Sequence, residues 1–209
     1  MRIGGLTKQS FIDWEGKITA VVFTTGCNFR CGYCHNPSLV LPELFEEPIP
    51  EQNFFDYLES RTGWLDGVVV TGGEPTIQPD LKDFIKRIKS LGFAVKLDTN
   101  GTNFNLLKEL IGENLVDFVA MDIKSVLTLE TYQKVTGRIS SEKFQNVMQS
   151  INLLRTNIVD HQFRTTVVPG IHDQTMIEQM QQIFCGENYI LQQFRAEFGL
   201  VENLIHATD

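Results

Sequence analysis

The chain has 209 residues, of which 42% are apolar and 21% charged, with a net charge of −8. This composition supports a real core and excludes a largely disordered chain. The acidic balance argues against a phosphate-tracking nucleic-acid binder, which is normally basic, and leaves room for a protein partner with a basic face. Apolar runs such as Ile18 to Phe23 and Val68 to Val70 are far shorter than the roughly 20 residues of a membrane helix, so no membrane span is expected. The start, Met1-Arg2-Ile3-Gly4-Gly5, carries no apolar signal core, and the expected location is cytoplasmic.

Taken in chain order, an apolar β-rich run at 18–24 is followed by a helical pattern at 54–61. A run at 68–71 leads into the clearest amphipathic stretch, with Leu81, Phe84, Ile85, Ile88 and Leu91 at helical spacing. Pro79-Asp80 opens that stretch and Gly92 closes it. Runs at 94–98, 116–122, 162–168 and 189–194 follow, separated by helical patterns at 106–111, 129–135, 144–154 and 176–184. Continuous apolar strands alternating with helices predict a parallel sheet with covered faces. A closed eight-unit barrel takes about 250 residues. The expected fold is therefore α/β, an open partial (β/α)6 barrel of parallel strands forming a single domain over 1–209. A flat doubly wound sheet is the alternative. Either fold puts function at the C-terminal strand ends, where polar and glycine residues cluster. The acidic, proline-bearing segment 43–50 reads as an exposed loop.

Four cysteines are present, and three lie in one loop, Cys27-Asn-Phe-Arg-Cys31-Gly-Tyr-Cys34, with spacing C-x3-C-x2-C. A disulfide framework distributes its cysteines differently. Three local thiolates suit a metal cluster with one open corner. Zinc, with Cys185 or His35 as fourth ligand, is the alternative, although zinc sites usually pair C-x2-C motifs across two loops. Asn28, Arg30 and Gly32 make the loop too polar for a simple core. Cys185 reads as a half-buried small hydrophobe. His161, His172 and His206 show no metal spacing and read as surface residues, while His35 is placed to orient the cysteine loop. Gly72-Gly73-Glu74 ends an apolar run: glycines permit close backbone approach, and a carboxylate can hold an ammonium group. Alternation puts Asp122 and Lys124 on one side of a strand. Buried carboxylates at strand ends, such as Asp98 and Asp122, need cations, and Arg164 needs a partner.

The cysteine loop, with Tyr33 just before the third cysteine, resembles the signature of the radical S-adenosylmethionine (SAM) superfamily. Cys34-His35-Asn36-Pro37, Thr71-Gly72-Gly73-Glu74-Pro75-Thr76, Asp98-Thr99-Asn100-Gly101, Met121-Asp122-Ile123-Lys124 and the run from Arg164 to Pro169-Gly170 narrow the resemblance. Together they are similar to glycyl-radical-enzyme activating proteins, most of all the anaerobic ribonucleoside-triphosphate reductase branch, over nearly the whole chain. Gln192-Gln193-Phe194 stands where pyruvate formate-lyase activases tend to carry a histidine.

The resemblance implies that Cys27, Cys31 and Cys34 hold a [4Fe–4S] cluster whose open iron binds SAM. One electron would then yield a 5′-deoxyadenosyl radical that takes hydrogen from a partner's glycine. It places Tyr33, Gly72, Gly73, Glu74, Lys124, Arg164, Val168 and Gln193 around SAM, with Glu74 on its amino group and Val168 beside the adenine. It gives Asp98, Thr99 and Asp122 a monovalent cation. The implied partners are a glycyl-radical enzyme, with the reductase large subunit favoured, and a flavodoxin- or ferredoxin-type electron donor. The rival readings are a pyruvate formate-lyase activase, a small-molecule radical SAM enzyme of the deazapurine synthase type, and a non-enzymatic metal-bearing interaction module.

Overall fold

The computed structural model describes residues 1–137 and 139–195. One sheet runs through them: β1 (Ile3–Ser10), β2 (Thr19–Thr24), β3 (Gly67–Gly72), β4 (Ala94–Thr99), β5 (Phe118–Asp122), β6 (Asp160–Val167) and β7 (Tyr189–Gln193), hydrogen-bonded in chain order. Strands β2 to β7 pair parallel. The strand order never reverses, so the doubly wound alternative is excluded and the six-unit partial-barrel topology stands. Helices α1 (Pro37–Val40) and α2 (Glu51–Glu59) separate β2 from β3. Helices α3 (Leu81–Ser90) and α4 (Phe104–Gly112) flank β4. Helices α5 (Leu129–Thr136) and α6 (Ser141–Leu154) precede β6, and α7 (Gln174–Ile183) precedes β7. No helix among the described residues is long and apolar enough to cross a membrane.

The sequence pattern does not predict β1. Its residues Ile-Gly-Gly-Leu-Thr-Lys-Gln-Ser hold too few apolar side chains for a buried strand. It forms by antiparallel pairing with β2, which covers an edge that would otherwise present unpaired backbone groups. In the acidic segment, Ile49 bridges back to Ile3, and the glutamates are exposed as expected.

Strand alternation divides the side chains between two faces. Ala20, Val22, Val68, Val70, Val95, Leu97, Val119, Met121 and Phe163 point into one large core with the helices. There Phe54, Phe55 and Phe84 meet with ring centroids 5.0–5.3 Å apart. The opposite face is concave and has two zones. At the N-terminal ends of the strands, Val21 and Val69 pack with Trp14, supported by Phe23, Ala94 and Phe118. Toward the C-terminal ends, the register brings Lys96, Asp98, Asp122 and Arg164 onto the same face.

Trp14 sits in the turn between β1 and β2 and closes the apolar zone. Its ring lies 6.0 Å from Phe118, with the Lys17 ammonium 5.3 Å away. Removing this side chain leaves a cavity beneath the polar zone. Trp14→Ala should therefore lower unfolding free energy in urea by about 3–5 kcal/mol, and an unchanged midpoint would show that the turn does not close the sheet.

Candidate active site

A cavity of about 380 Å³ opens at the C-terminal strand ends. Cys27, Cys31, Tyr33 and Cys34 line it from the β2–α1 loop. Gly72, Gly73 and Glu74 reach it from the end of β3, Asp98 and Thr99 from β4, Asp122 and Lys124 from β5, and Arg164 from β6. Twelve of the fourteen sequence-predicted site residues thus meet in one place. The other two do not. Val168 is buried outside the cavity, and Gln193 lines a neighbouring one, while Gln192, on the concave face, takes the inward position. The period-two alternation of β7 explains the exchange.

The cysteine loop is tied down by side chains that the sequence marked only as polar. Asn28 donates to Thr102 Oγ1 at 2.7 Å and accepts from Asn100 Nδ2 at 2.8 Å. Arg30 donates to the carbonyls of Cys27 and Phe29, and its backbone N–H reaches Thr136 O at 2.8 Å. The Phe29 N–H points at Cys27 Sγ at 3.4 Å. Burial pushes the Cys27 thiol up to about 12 and the Cys31 thiol to about 11, so binding a metal there must displace protons. Cys185 is exposed near the end of α7, away from this loop, and is not the half-buried residue expected. Among the described residues no three His, Cys, Asp or Glu side chains converge as ligands of a single metal ion. Three thiols of one loop lining a single cavity suit a cluster with one open corner.

Glu74 does more than face a ligand. It is 1% exposed. Its Oε1 accepts from the Thr76 N–H, the Thr76 hydroxyl and the Thr99 hydroxyl, and its Oε2 from the Asn100 N–H at 2.6 Å. Burial raises its pKa and these donors oppose the rise, leaving it above the ordinary carboxylate value. The two preceding glycines approach the chain's own backbone. A Cβ on Gly73 would lie 2.0 Å from Gly26 O, and Gly72 has φ +120° with Thr24 N only 2.2 Å from a Cβ. Without side chains there, Gly73 N–H bonds Thr24 O and Glu74 N–H bonds Gly26 O at 2.8 Å. The loop is thereby joined to the root of the cysteine loop.

The charged residues form a chain of contacts. Arg164 Nε donates to Asp122 Oδ1 at 2.6 Å, and its Nη2 lies 3.0 Å from Asp98 Oδ2. Lys124 Nζ donates to Asp122 Oδ2 at 2.9 Å. Burial would raise the Asp122 pKa, but Arg164 and Lys124 override it and hold the carboxyl far below its usual range. Arg164, expected to face a ligand, lines the cavity and also bonds two aspartates. Asp98, Thr99 and Asp122, where the resemblance puts a monovalent cation, all line the cavity. Both carboxylates are faced by the protein's own cations, and the Thr99 hydroxyl donates to Glu74.

Two residues that the sequence reading missed hold Lys124 in place. Its N–H donates to the hydroxyl of the fully buried Tyr132, at 3.2 Å. Its carbonyl accepts from His172 Nε2 at 2.9 Å, while His172 Nδ1 accepts from the Val168 N–H at 3.0 Å. His172 is 5% exposed, not a surface residue, and only one neutral tautomer satisfies both bonds. His161 is half-buried at the start of β6, and His206 lies outside the described residues. The ring of His35 stacks on Phe194 at 4.9 Å, and its buried Nε2 has no hydrogen-bond partner among the described residues.

Glu74→Gln keeps the shape but presents an NH2 group to N–H and O–H donors. Each backbone donor left unpaired costs about 1–3 kcal/mol. The variant should melt well below the wild type even without any ligand, and an unchanged Tm would reduce Glu74 to a ligand contact.

The radical SAM superfamily matches residues 21–183. A Methanocaldococcus jannaschii protein named as a glycyl-radical enzyme activating enzyme is 37% identical over 197 residues, covering 92% of this chain and 79% of that protein. The pyruvate formate-lyase-activating enzyme of Clostridium pasteurianum is 30% identical over 182 residues, covering 82% and 71%. The structure of native anSMEcpe with bound AdoMet superposes with a TM-score of 0.60 at 16% identity, over 82% of this chain and 50% of that one, a likeness of fold.

Proposed function

The chain belongs to the radical SAM superfamily, and within it we propose that it is the activating enzyme of a glycyl-radical enzyme. Its cofactors are a [4Fe–4S] cluster and SAM. Cys27, Cys31 and Cys34 would hold the cluster, the three thiols of one loop that line the cavity. Bound together there, the two would supply one-electron cleavage of SAM to methionine and a 5′-deoxyadenosyl radical able to take a hydrogen atom from the partner's glycine.

The chain's own residues prepare that site. Lys124 uses one of its three N–H donors on Asp122 and has others for an anionic group, such as the SAM carboxylate. Tyr132 and His172 fix the backbone that carries it. The Glu74 knot holds the ends of β3 and β4 at one distance from the cysteine loop. The Phe29 N–H adds a hydrogen bond to a cluster thiolate, one of the means by which proteins set cluster potentials.

One observation carries the macromolecular substrate. A second cavity, about 670 Å³, shares Asp13, His35, Asn36, Thr166 and Gln192 with the first. It runs on past Gln193, Phe194 and Arg195. Among the described residues the lining of both cavities is mainly polar, which suits an extended peptide loop better than the mostly apolar sites of small molecules. Within the activases we favour the large subunit of anaerobic ribonucleotide reductase as partner, on the Gln192-Gln193-Phe194 run. A flavodoxin- or ferredoxin-type protein supplies the electron, and the oxygen-sensitive chemistry suits an anaerobic cytoplasm. Pyruvate formate-lyase is the second reading, supported by the similarity to its activating enzymes.

Anaerobic reconstitution should load about four irons per chain, unaffected by Cys185→Ala and lost in Cys31→Ala. The reduced, SAM-loaded protein should then give the reductase subunit a doublet in electron paramagnetic resonance. That doublet should collapse to a singlet when the partner carries α-deuterated glycine. A signal on pyruvate formate-lyase alone would keep the reaction and change the partner. Turnover of a small molecule with no protein radical would reject the activase reading.

A further inference from the structure

One charged side chain on the concave face is not accounted for by the resemblance. Lys96 lies on β4, two residues before Asp98 and therefore on the same face. It is 7% exposed, rare for a lysine. Its ammonium sits 3.7 Å from Asp98 Oδ1, donates to the Asp13 carbonyl and lies 5.6 Å from the centre of the Phe118 ring. Asp98 Oδ1 is itself buried, accepts no hydrogen bond among the described residues, and has the Lys96 ammonium 3.7 Å away.

The contacts define a charge count. Lys96, Arg164 and Lys124 face Asp98 and Asp122, three cations against two carboxylates. The Asp13 carboxylate, which accepts from the Ser10 hydroxyl, also acts on Lys96 at longer range, so the chain's own side chains come close to balancing one another. An alkali ion added beside Asp98 would bring a further positive charge into a buried space next to the Lys96 ammonium, where like charges repel strongly.

We propose that Lys96 is a built-in cation, which balances Asp98 in the place of a recruited alkali ion, so that this chain binds SAM independently of sodium and potassium. The inference rests on the SAM site described above and concerns how that site is balanced. Lys96 acts through Asp98 and Arg164 and is a positioning residue. The turn that carries Trp14 contributes the Asp13 carbonyl that fixes it.

The test compares SAM affinity of the cluster-loaded protein in buffers of equal ionic strength containing potassium, sodium or only tetramethylammonium. Wild-type Kd should change less than twofold among them. Lys96→Met should bind SAM at least tenfold more weakly in tetramethylammonium and recover when potassium or sodium is added. Lys96→Arg should stay independent of alkali ions. A tenfold loss of wild-type affinity on removing alkali ions would overturn the proposal, whatever the variants do. So would a Lys96→Met protein with normal affinity in tetramethylammonium. Thermal melting without SAM gives a second reading. Potassium should raise the Tm of Lys96→Met relative to tetramethylammonium and leave the wild type unmoved, and equal responses would also overturn the proposal. If no form binds SAM, the cofactor reading fails, and the melting comparison still judges Lys96.

Discussion

Arg164 is the residue on which the site depends. Asp98 and Asp122 project from the ends of neighbouring parallel strands onto one concave face, and two carboxylates so placed repel. The guanidinium satisfies one oxygen of each, at 3.0 and 2.6 Å, a fork that lysine cannot reproduce. Its side chain is 15% exposed, and that of Asp98 is 12% exposed. Such a pair adds little net stability over an apolar alternative, but losing one partner costs on the order of 3–5 kcal/mol. The arrangement therefore specifies geometry more than it stabilises the fold. It fixes the lateral spacing of β4, β5 and β6 at the height where Lys124 stands.

A second constraint acts between loops. Glu74 joins its own turn to the β4 loop through Thr99 and Asn100, and Asn100 continues to Asn28 in the cysteine loop. Gly72 and Gly73 let the end of β3 meet the backbone of Thr24 and Gly26. The three cysteines therefore hang on a frame set by strand ends, not on a free loop. That is the property a cluster site needs, since its supporting contacts decide ligand orientation as much as the ligands do.

Much of this was legible in the sequence because parallel strands leave a plain record. Each of the six inner and outer strands shows an apolar run that ends in polar or glycine residues, and the structure keeps those runs to within a few residues. The cysteine spacing, Gly72-Gly73-Glu74, Asp98 and Asp122-Ile-Lys124 were readable for the same reason: their chemistry is local. What was missed acts at a distance. Strand β1 has no apolar pattern and exists through its pairing with β2. His172 has no spacing that marks it, and its role arises only when the β6–α7 loop folds over the Lys124 carbonyl, 48 residues earlier. Tyr132 looks like a helix core residue and is one, yet its hydroxyl end is the contact that matters. Gln193 was placed one residue away from the inward position because a strand's register cannot be read from an unpatterned polar pair.

The division of the concave face explains how these demands coexist. Apolar burial of Trp14, Val21 and Val69 fills the N-terminal half, so the polar half has a floor and need not supply its own stability. Above that floor the charges are confined to β4, β5 and β6, while β7 presents Ile190 and Gln192 to solvent on the same face. A closed barrel would have covered those residues with further strands and walled the cavity. With the sheet open beside β7 among the described residues, the cluster loop and the charge network face a side that a large substrate can enter. Among the described residues the fold thus combines a rigid polar floor with a flank beside β7 that no further strand covers.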